Sequence, residues 1–198
     1  MFVVRDRIRQ VEVYDAVAFI VRLRITAPLS LSACPVNICF YMLSLSDYFG
    51  DNVYRVELED RNDTVLEWSM IRRPAGLSVN NAHNLLVVSQ GEHKLQEFAT
   101  RGTLLREIQL PPGTGYPWQA VQLPSGQFLV TSRKQMSLIA PNRTVVRAYK
   151  ADSAVENRMN ELRDMAVDEH GNVLVADMAN RGLMVLDRSL CWCGVRVR

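Results

Sequence analysis

Apolar and polar positions along this chain fall into short runs that repeat. Four apolar strands each end on a small polar residue: Leu43-Ser44-Leu45-Ser46-Asp47, Leu86-Val87-Val88-Ser89, Leu129-Val130-Thr131-Ser132 and Leu174-Val175-Ala176-Asp177. The closing residues, at 47, 89, 132 and 177, are separated by 42, 43 and 45 residues. A second series keeps nearly the same period. Thr64, Thr103 and Thr144 each open a run of two aliphatics, at steps of 39 and 41. A repeat of about 40–45 residues built from short strands predicts a β-propeller blade.

Each unit reads as four strands. The clearest has strands at Gly76–Val79, Leu85–Ser89, Lys94–Phe98 and Thr103–Ile108, with an Asn-rich turn at 80–84 and Arg101-Gly102 reversing the chain. The next has Gln119–Gln122, Phe128–Ser132, Met136–Ile139 and Thr144–Tyr149, with a Pro124-Ser125-Gly126 turn. The third has Met165–Asp168, Val173–Asp177 and Leu183–Leu186. Gly, Pro and Asn stand where the chain must reverse because they tolerate or preset turn dihedrals. An earlier unit carries Phe40–Asp47, Val53–Val56 and Thr64–Trp68, and its first strand is poorly marked. Val11–Tyr14 precedes Val53–Val56 by 42 residues, so residues 1 to about 26 read as the tail of another blade, entered at its second strand. The polar stretch Ala151–Asn160 is the one place where a short helical turn or an inserted loop is expected.

These units divide a single domain at approximately 1–26 (partial), 27–70, 71–111, 112–151 and 152–198. The expected fold is all-β, a partial propeller with about four to five blades of four antiparallel strands. The second strands are apolar at nearly every position, as strands covered on both faces by neighbouring blades should be. The last eight residues break the pattern of the earlier fourth strands. An incomplete ring would expose sheet faces and strand edges, which predicts self-association through them.

Composition changes little in this picture. Of 198 residues, 48% are hydrophobic and 22% charged, and the formal net charge of +2 gives no general reason to invoke nucleic acid or anionic lipid. The four cysteines, Cys34, Cys39, Cys191 and Cys193, fit neither a zinc ribbon nor a dense disulfide framework and are expected to be reduced thiols. The most apolar early run, Ala16–Val21, ends at Arg22 and is too short to span a bilayer, so no membrane association is expected. No secretory signal is visible, which favours the cytoplasm. The sequons at Asn62 and Asn142 fall in expected turns and are weak evidence for secretion.

The segment from Met165 to Asp187 resembles an NHL repeat. It keeps Asp168, the Gly171-Asn172 turn, an apolar strand ending in Ala176-Asp177, and Asn180. It departs from the pattern at Arg181-Gly182-Leu183 and lacks the motif's closing His. Ala75–Asn80 and Pro117–Gln122 are similar to the more degenerate NHL-like blades of invertebrate propellers. The resemblance implies a six-bladed ring that serves as a protein-binding or RNA-binding platform. No RING or B-box cysteine/histidine array accompanies it, so ligase activity does not follow.

Candidate chemistry is sparse. No G-x-S-x-G elbow, P-loop or G-x-G-x-x-G occurs. His83 and His170 occupy equivalent turns, and no ligand spacing suggests a metal or any cofactor. Asp47, Asp168 and Asp177 read as turn acceptors rather than as an acid set. Trp118, with Gln119 beside it, lies at the start of an inner strand. Arg72, Arg73 and Arg163 hold comparable places in other blades, a composition suited to gripping a partner. Arg101, Arg106, Lys134, Arg143 and Arg147 interleave with Glu97, Glu107 and Asp168 and read as a mixed, solvated surface. The expectation is a non-catalytic protein-interaction scaffold with a protein partner. The alternatives are an RNA-binding platform using Arg72, Arg73, Trp118 and Arg163, and a propeller hydrolase or lactonase with an axial divalent ion.

Overall fold

The computed structural model describes residues 2–5, 10–14, 21–26, 37–39, 42–57, 65–142, 144–150 and 159–191, with side chains at 44, 46–55, 71–142, 144–149 and 159–191. The protein is all-β, and the described residues contain no helix. Among the described residues, eighteen strands form five antiparallel meanders in strict chain order. The first sheet is β1 (Phe2–Arg5), β2 (Gln10–Tyr14) and β3 (Val21–Thr26). The second is β4 (Asn37–Cys39), β5 (Met42–Asp47), β6 (Asn52–Glu57) and β7 (Val65–Met70). The third is β8 (Pro74–Val79), β9 (Leu85–Ser89), β10 (Lys94–Phe98) and β11 (Leu104–Gln109). The fourth is β12 (Pro117–Gln122), β13 (Phe128–Ser132), β14 (Gln135–Ile139) and β15 (Val145–Lys150). The fifth is β16 (Leu162–Val167), β17 (Val173–Asp177) and β18 (Gly182–Leu186). The stretch expected to hold a helical turn or insertion lies mostly outside the described residues.

Period-two alternation explains how the blades stack. On β9, Leu86 and Val88 join a core with Phe128, Val130 and Ile139 of the following blade, while Leu85 and Val87 join Val53, Ile71 and Phe98 on the other side. On β13, Phe128 and Val130 face back into the first of these cores and Leu129 faces forward onto Val173, Val175 and Met184. Every residue of β9 and β13 is buried for this reason. On β17 the pattern alternates, with Val173, Val175 and Asp177 buried and Leu174 and Ala176 half-buried. Its forward face is less covered than that of β9 or β13.

The strand-closing residues are a capping device. Asp47, Ser89, Ser132 and Asp177 are all buried. Asp47 Oδ1 accepts from the backbone N–H groups of Phe49 and Gly50. Ser89 Oγ donates to the Arg72 carbonyl at 2.9 Å and accepts from Glu92 N. Ser132 Oγ donates to the Gln135 carbonyl. Asp177 accepts from Asn160 N at 3.1 Å, Asn180 N at 3.2 Å and Asn180 Nδ2 at 2.7 Å. A short polar side chain at a strand end satisfies turn donors that apolar neighbours would leave orphaned. Asp177→Ala should therefore lower folding stability by about 1–3 kcal/mol, read from a urea titration, because three donors lose one acceptor group. An unchanged midpoint would mean that water replaces the carboxylate.

The turns that follow the first strands use the same chemistry. Asn80 Oδ1 accepts from Ala82 N and Asn84 N, and Asp168 Oδ1 accepts from His170 N and Asn172 N. His83 and His170 are exposed members of these turns.

Candidate functional site

Each of the three well-described inner strands starts with one residue too many. Pro74 pairs with Ser89, but the next partners are Leu77 and Val87. Pro117 pairs with Ser132, followed by Gln119 with Thr131. Leu162 pairs with Asp177, followed by Met165 with Val175. One extra residue per strand is a β-bulge, and a bulge re-aims the side chains it contains. All three bulges sit at the same level of the ring, the end where each second strand closes.

Trp118 and Arg163 are the repeat-equivalent bulge residues of adjacent blades, and they meet. The Arg163 guanidinium lies over the Trp118 ring at 4.0 Å from its centroid. Glu161 Oε1 accepts from Arg163 Nη2 at 2.5 Å. Glu161 itself has a φ of +104°, in the left-handed region that favours glycine, so its backbone is strained. On the other side Tyr48 lies against Trp118 with centroids 5.8 Å apart and ring planes inclined at 57°. Tyr48 Oη donates to Gln90 Oε1, and Gln90 Nε2 donates to the Pro117 carbonyl at 3.1 Å. Trp118, half-buried, is thereby fixed between a cation and an aromatic. A cavity of about 250 Å³ opens beside it, lined by Gln90, Tyr116, Trp118, Arg133, Glu161, Leu162 and Arg163.

The other sequence-selected residues fall elsewhere. Arg72 and Arg73 are exposed and line a separate cavity of about 380 Å³ with Tyr48, Phe49, Asp51 and Gly91. Gln119 is buried and points away from the Trp118 cavity. Its Nε2 donates to the Leu77 carbonyl at 2.9 Å and Asp164 Oδ1 at 3.0 Å, and its Oε1 accepts from Ala120 N at 3.0 Å. Gln119 thus cross-links β8, β12 and β16 and borders an inner cavity of about 510 Å³. Successive side chains of a strand point to opposite faces, so the two neighbours Trp118 and Gln119 reach different surfaces. Tyr48, Gln90 and Arg133 belong to the site although the sequence reading did not select them. They carry a signal nonetheless, since each directly follows a strand-closing residue.

The charges at this end are uneven. Lys94 Nζ lies 3.2 Å from Glu107 and 3.9 Å from Glu92, and Asp51 Oδ1 accepts from Arg73 N. Among the described residues, no carboxylate lies within ion-pair distance of the side-chain cations of Arg72, Arg73, Arg133, Lys134 or Arg181. Of the mixed surface expected further out, two arginines have partners among the described residues. Arg106 Nε binds Glu97 Oε2 at 2.5 Å, and Arg147 lies over the Tyr149 ring; Arg143 lies outside the described residues.

Glu97 is the buried titratable group of that surface. Burial raises its pKa, but hydrogen bonds from Asn84, Arg106 and Asn80 outweigh it and hold the carboxyl below its ordinary value of 4.5. A depressed carboxylate stabilises the fold above its unfolded pKa, and that contribution is lost as pH falls through the folded value. Stability should therefore decline as the pH drops below about 5, and Glu97→Gln should flatten that decline. Parallel pH profiles for the two proteins would refute the assignment. Asp168 is also held low, chiefly by the Asn172 side-chain hydrogen bond.

Two further groups bear on chemistry. Thr114 Oγ1 lies 2.8 Å from both His93 Nε2 and the Pro111 carbonyl oxygen. Among the described residues, no three His, Cys, Asp or Glu side chains converge as metal ligands.

No family model matches this chain, and no curated protein matches its sequence. Solved structures do. The chain is similar to a virginiamycin B lyase from Staphylococcus aureus, with a TM-score of 0.71 at 9% identity, over 95% of this chain and 63% of that one. It is similar to a protein of unknown function from Bacteroides caccae, with a TM-score of 0.68 at 16% identity, over 96% of this chain and 75% of that one. A putative gluconolactonase matches with a TM-score of 0.57 at 13% identity, over 73% of this chain and 55% of that one. At such identities the likeness establishes a propeller-type fold. The chain spans about three fifths of the length of the lyase.

Proposed function

We propose that this protein is a non-catalytic protein-interaction scaffold built on NHL-like blades, and that it binds its partner at the bulged mouth of the inner strands. The observation that carries the reading is the fixed stack of Tyr48, Trp118 and Arg163 beside an open cavity. Aromatic and arginine anchors held rigid before binding are the residues that dominate protein interfaces. The NHL likeness is supported by how its residues are used. Asp168 with Asn172, and Asp177 with Asn180, form the hydrogen-bonded turns that bracket β17. Crosslinking the purified chain in an extract should give a specific protein partner; capture of none, together with turnover of a small molecule, would overturn the reading.

A second reading is favoured by the unpaired cations at the same end. Arg72, Arg73, Arg133 and Lys134, beside Tyr116 and Trp118, are a composition that could follow an RNA backbone. Filter binding across a salt series separates the two. Phosphate contacts give a steep loss of affinity with salt, and Arg73→Glu should weaken retention. RNA that fails to bind even at low salt removes this reading. The lyase and lactonase neighbours keep an enzyme in view; absence of stoichiometric calcium or zinc from the purified protein would count against a hydrolase with an axial ion.

A further inference from the structure

We infer that the cavity beside Trp118 is a receptor for an apolar group that ends in a free carboxylate, an inference that rests on the interaction reading above. The walls are Tyr116, Trp118 and Leu162, and the polar groups are Gln90 and the charged Arg133, Arg163 and Glu161. Two guanidiniums against one carboxylate leave one positive charge uncompensated. That balance suits a ligand with a single negative charge better than a polyanion. The cavity, at about 250 Å³, has room for one amino-acid residue rather than for a folded surface.

The two arginines are set up differently. Arg163 is stacked on Trp118 and tied by one donor to Glu161, while its Nε is buried with no hydrogen-bond partner. Its guanidinium is held in place and its donor set is not saturated. Arg133 is exposed, and its side chain has no ionic partner among the described residues. A planar guanidinium matches a carboxylate by two parallel N–H···O bonds, which a neutral amide cannot reproduce. Tyr116, 72% exposed, stands at the rim where it can cover the apolar part of the ligand. The carboxyl end of a peptide and a small free acid share this chemistry.

Titration calorimetry of the full chain distinguishes them. The probes are the tetrapeptide N-acetyl-Gly-Ser-Gly-Leu as free acid and as amide, and 3-phenylpropionate. The free acid should bind at least about tenfold more tightly than the amide, the ratio expected when a charge-assisted pair is lost. Arg133→Ala should remove most of that preference, and Arg101→Ala, on a turn at the opposite end of the strands, should not. Tighter binding of the peptide acid than of 3-phenylpropionate assigns a chain end as the source, and the reverse assigns a small free acid. Equal binding of acid and amide, or binding of neither, overturns the carboxylate receptor. The parent reading fails separately, when Trp118→Ala leaves the crosslinked partner unchanged.

Discussion

Replacing Gly76 with valine should lower folding stability by about 2–3 kcal/mol, a loss typical of forcing atoms into a filled contact. The reason is a close approach between two inner strands. A Cβ at residue 76 would land on Gln119 Oε1, within 2.5 Å of the Trp118 carbonyl oxygen and 2.8 Å of Gln119 Cα. Two of these three neighbours are backbone atoms, which cannot rotate aside. The strands would have to separate, and the bond from Gln119 Nε2 to the Leu77 carbonyl would go with them. For a chain of this size the midpoint of thermal unfolding should fall by roughly 5–10 °C. A melting temperature equal to the parent's would show that β8 and β12 are not neighbours at that level.

The second large effect is on binding. Trp118→Ala should weaken partner capture by about thirtyfold or more, the loss expected of a central aromatic anchor. The substitution removes the ring and also frees Arg163, whose guanidinium loses the surface on which it lies. Trp118→Phe keeps a smaller ring and should retain part of the affinity. Because Trp118 is half-buried and packs against the core around Phe128, its variants must be compared at matched folded fraction. An alanine variant that folds and captures partner as well as the parent would place the interface elsewhere.

Much of the fold can be read from the sequence because propeller blades obey a local rule. Leu85–Ser89, Lys94–Phe98, Phe128–Ser132 and Val173–Asp177 run in the structure over the residues that alternation and turn chemistry assign to them. The inner strands begin at Pro74, Pro117 and Leu162, ahead of the alternating runs that start at Gly76, Gln119 and Met165. The difference is the bulge in each, which interrupts alternation and hides the start of the strand from a period-two reading. The first strand of the second blade is only three residues long, Asn37–Cys39, too short to leave a pattern.

The candidate site is legible only in part. Trp118 and Arg163 stand out by composition and repeat position, and the structure brings them together. Arg72 and Arg73 lie at the same end but around a different cavity. Gln119 belongs to the blade contact, because adjacent side chains of a strand face opposite ways and its own is turned toward Leu77 and Asp164. Glu161 could not be found from sequence, since its place depends on a positive φ that nothing in an ordinary Glu announces. Tyr48, Gln90 and Arg133 could have been found by aligning the residue after each strand-closing position.

Hydrogen–deuterium exchange of the chain alone and with its captured partner tests the central claim directly. Binding at the bulged mouth predicts new protection over residues 116–118, 132–134 and 160–163, with the opposite turns at 80–84, 124–127 and 168–172 unchanged. Protection confined to those opposite turns would contradict the account.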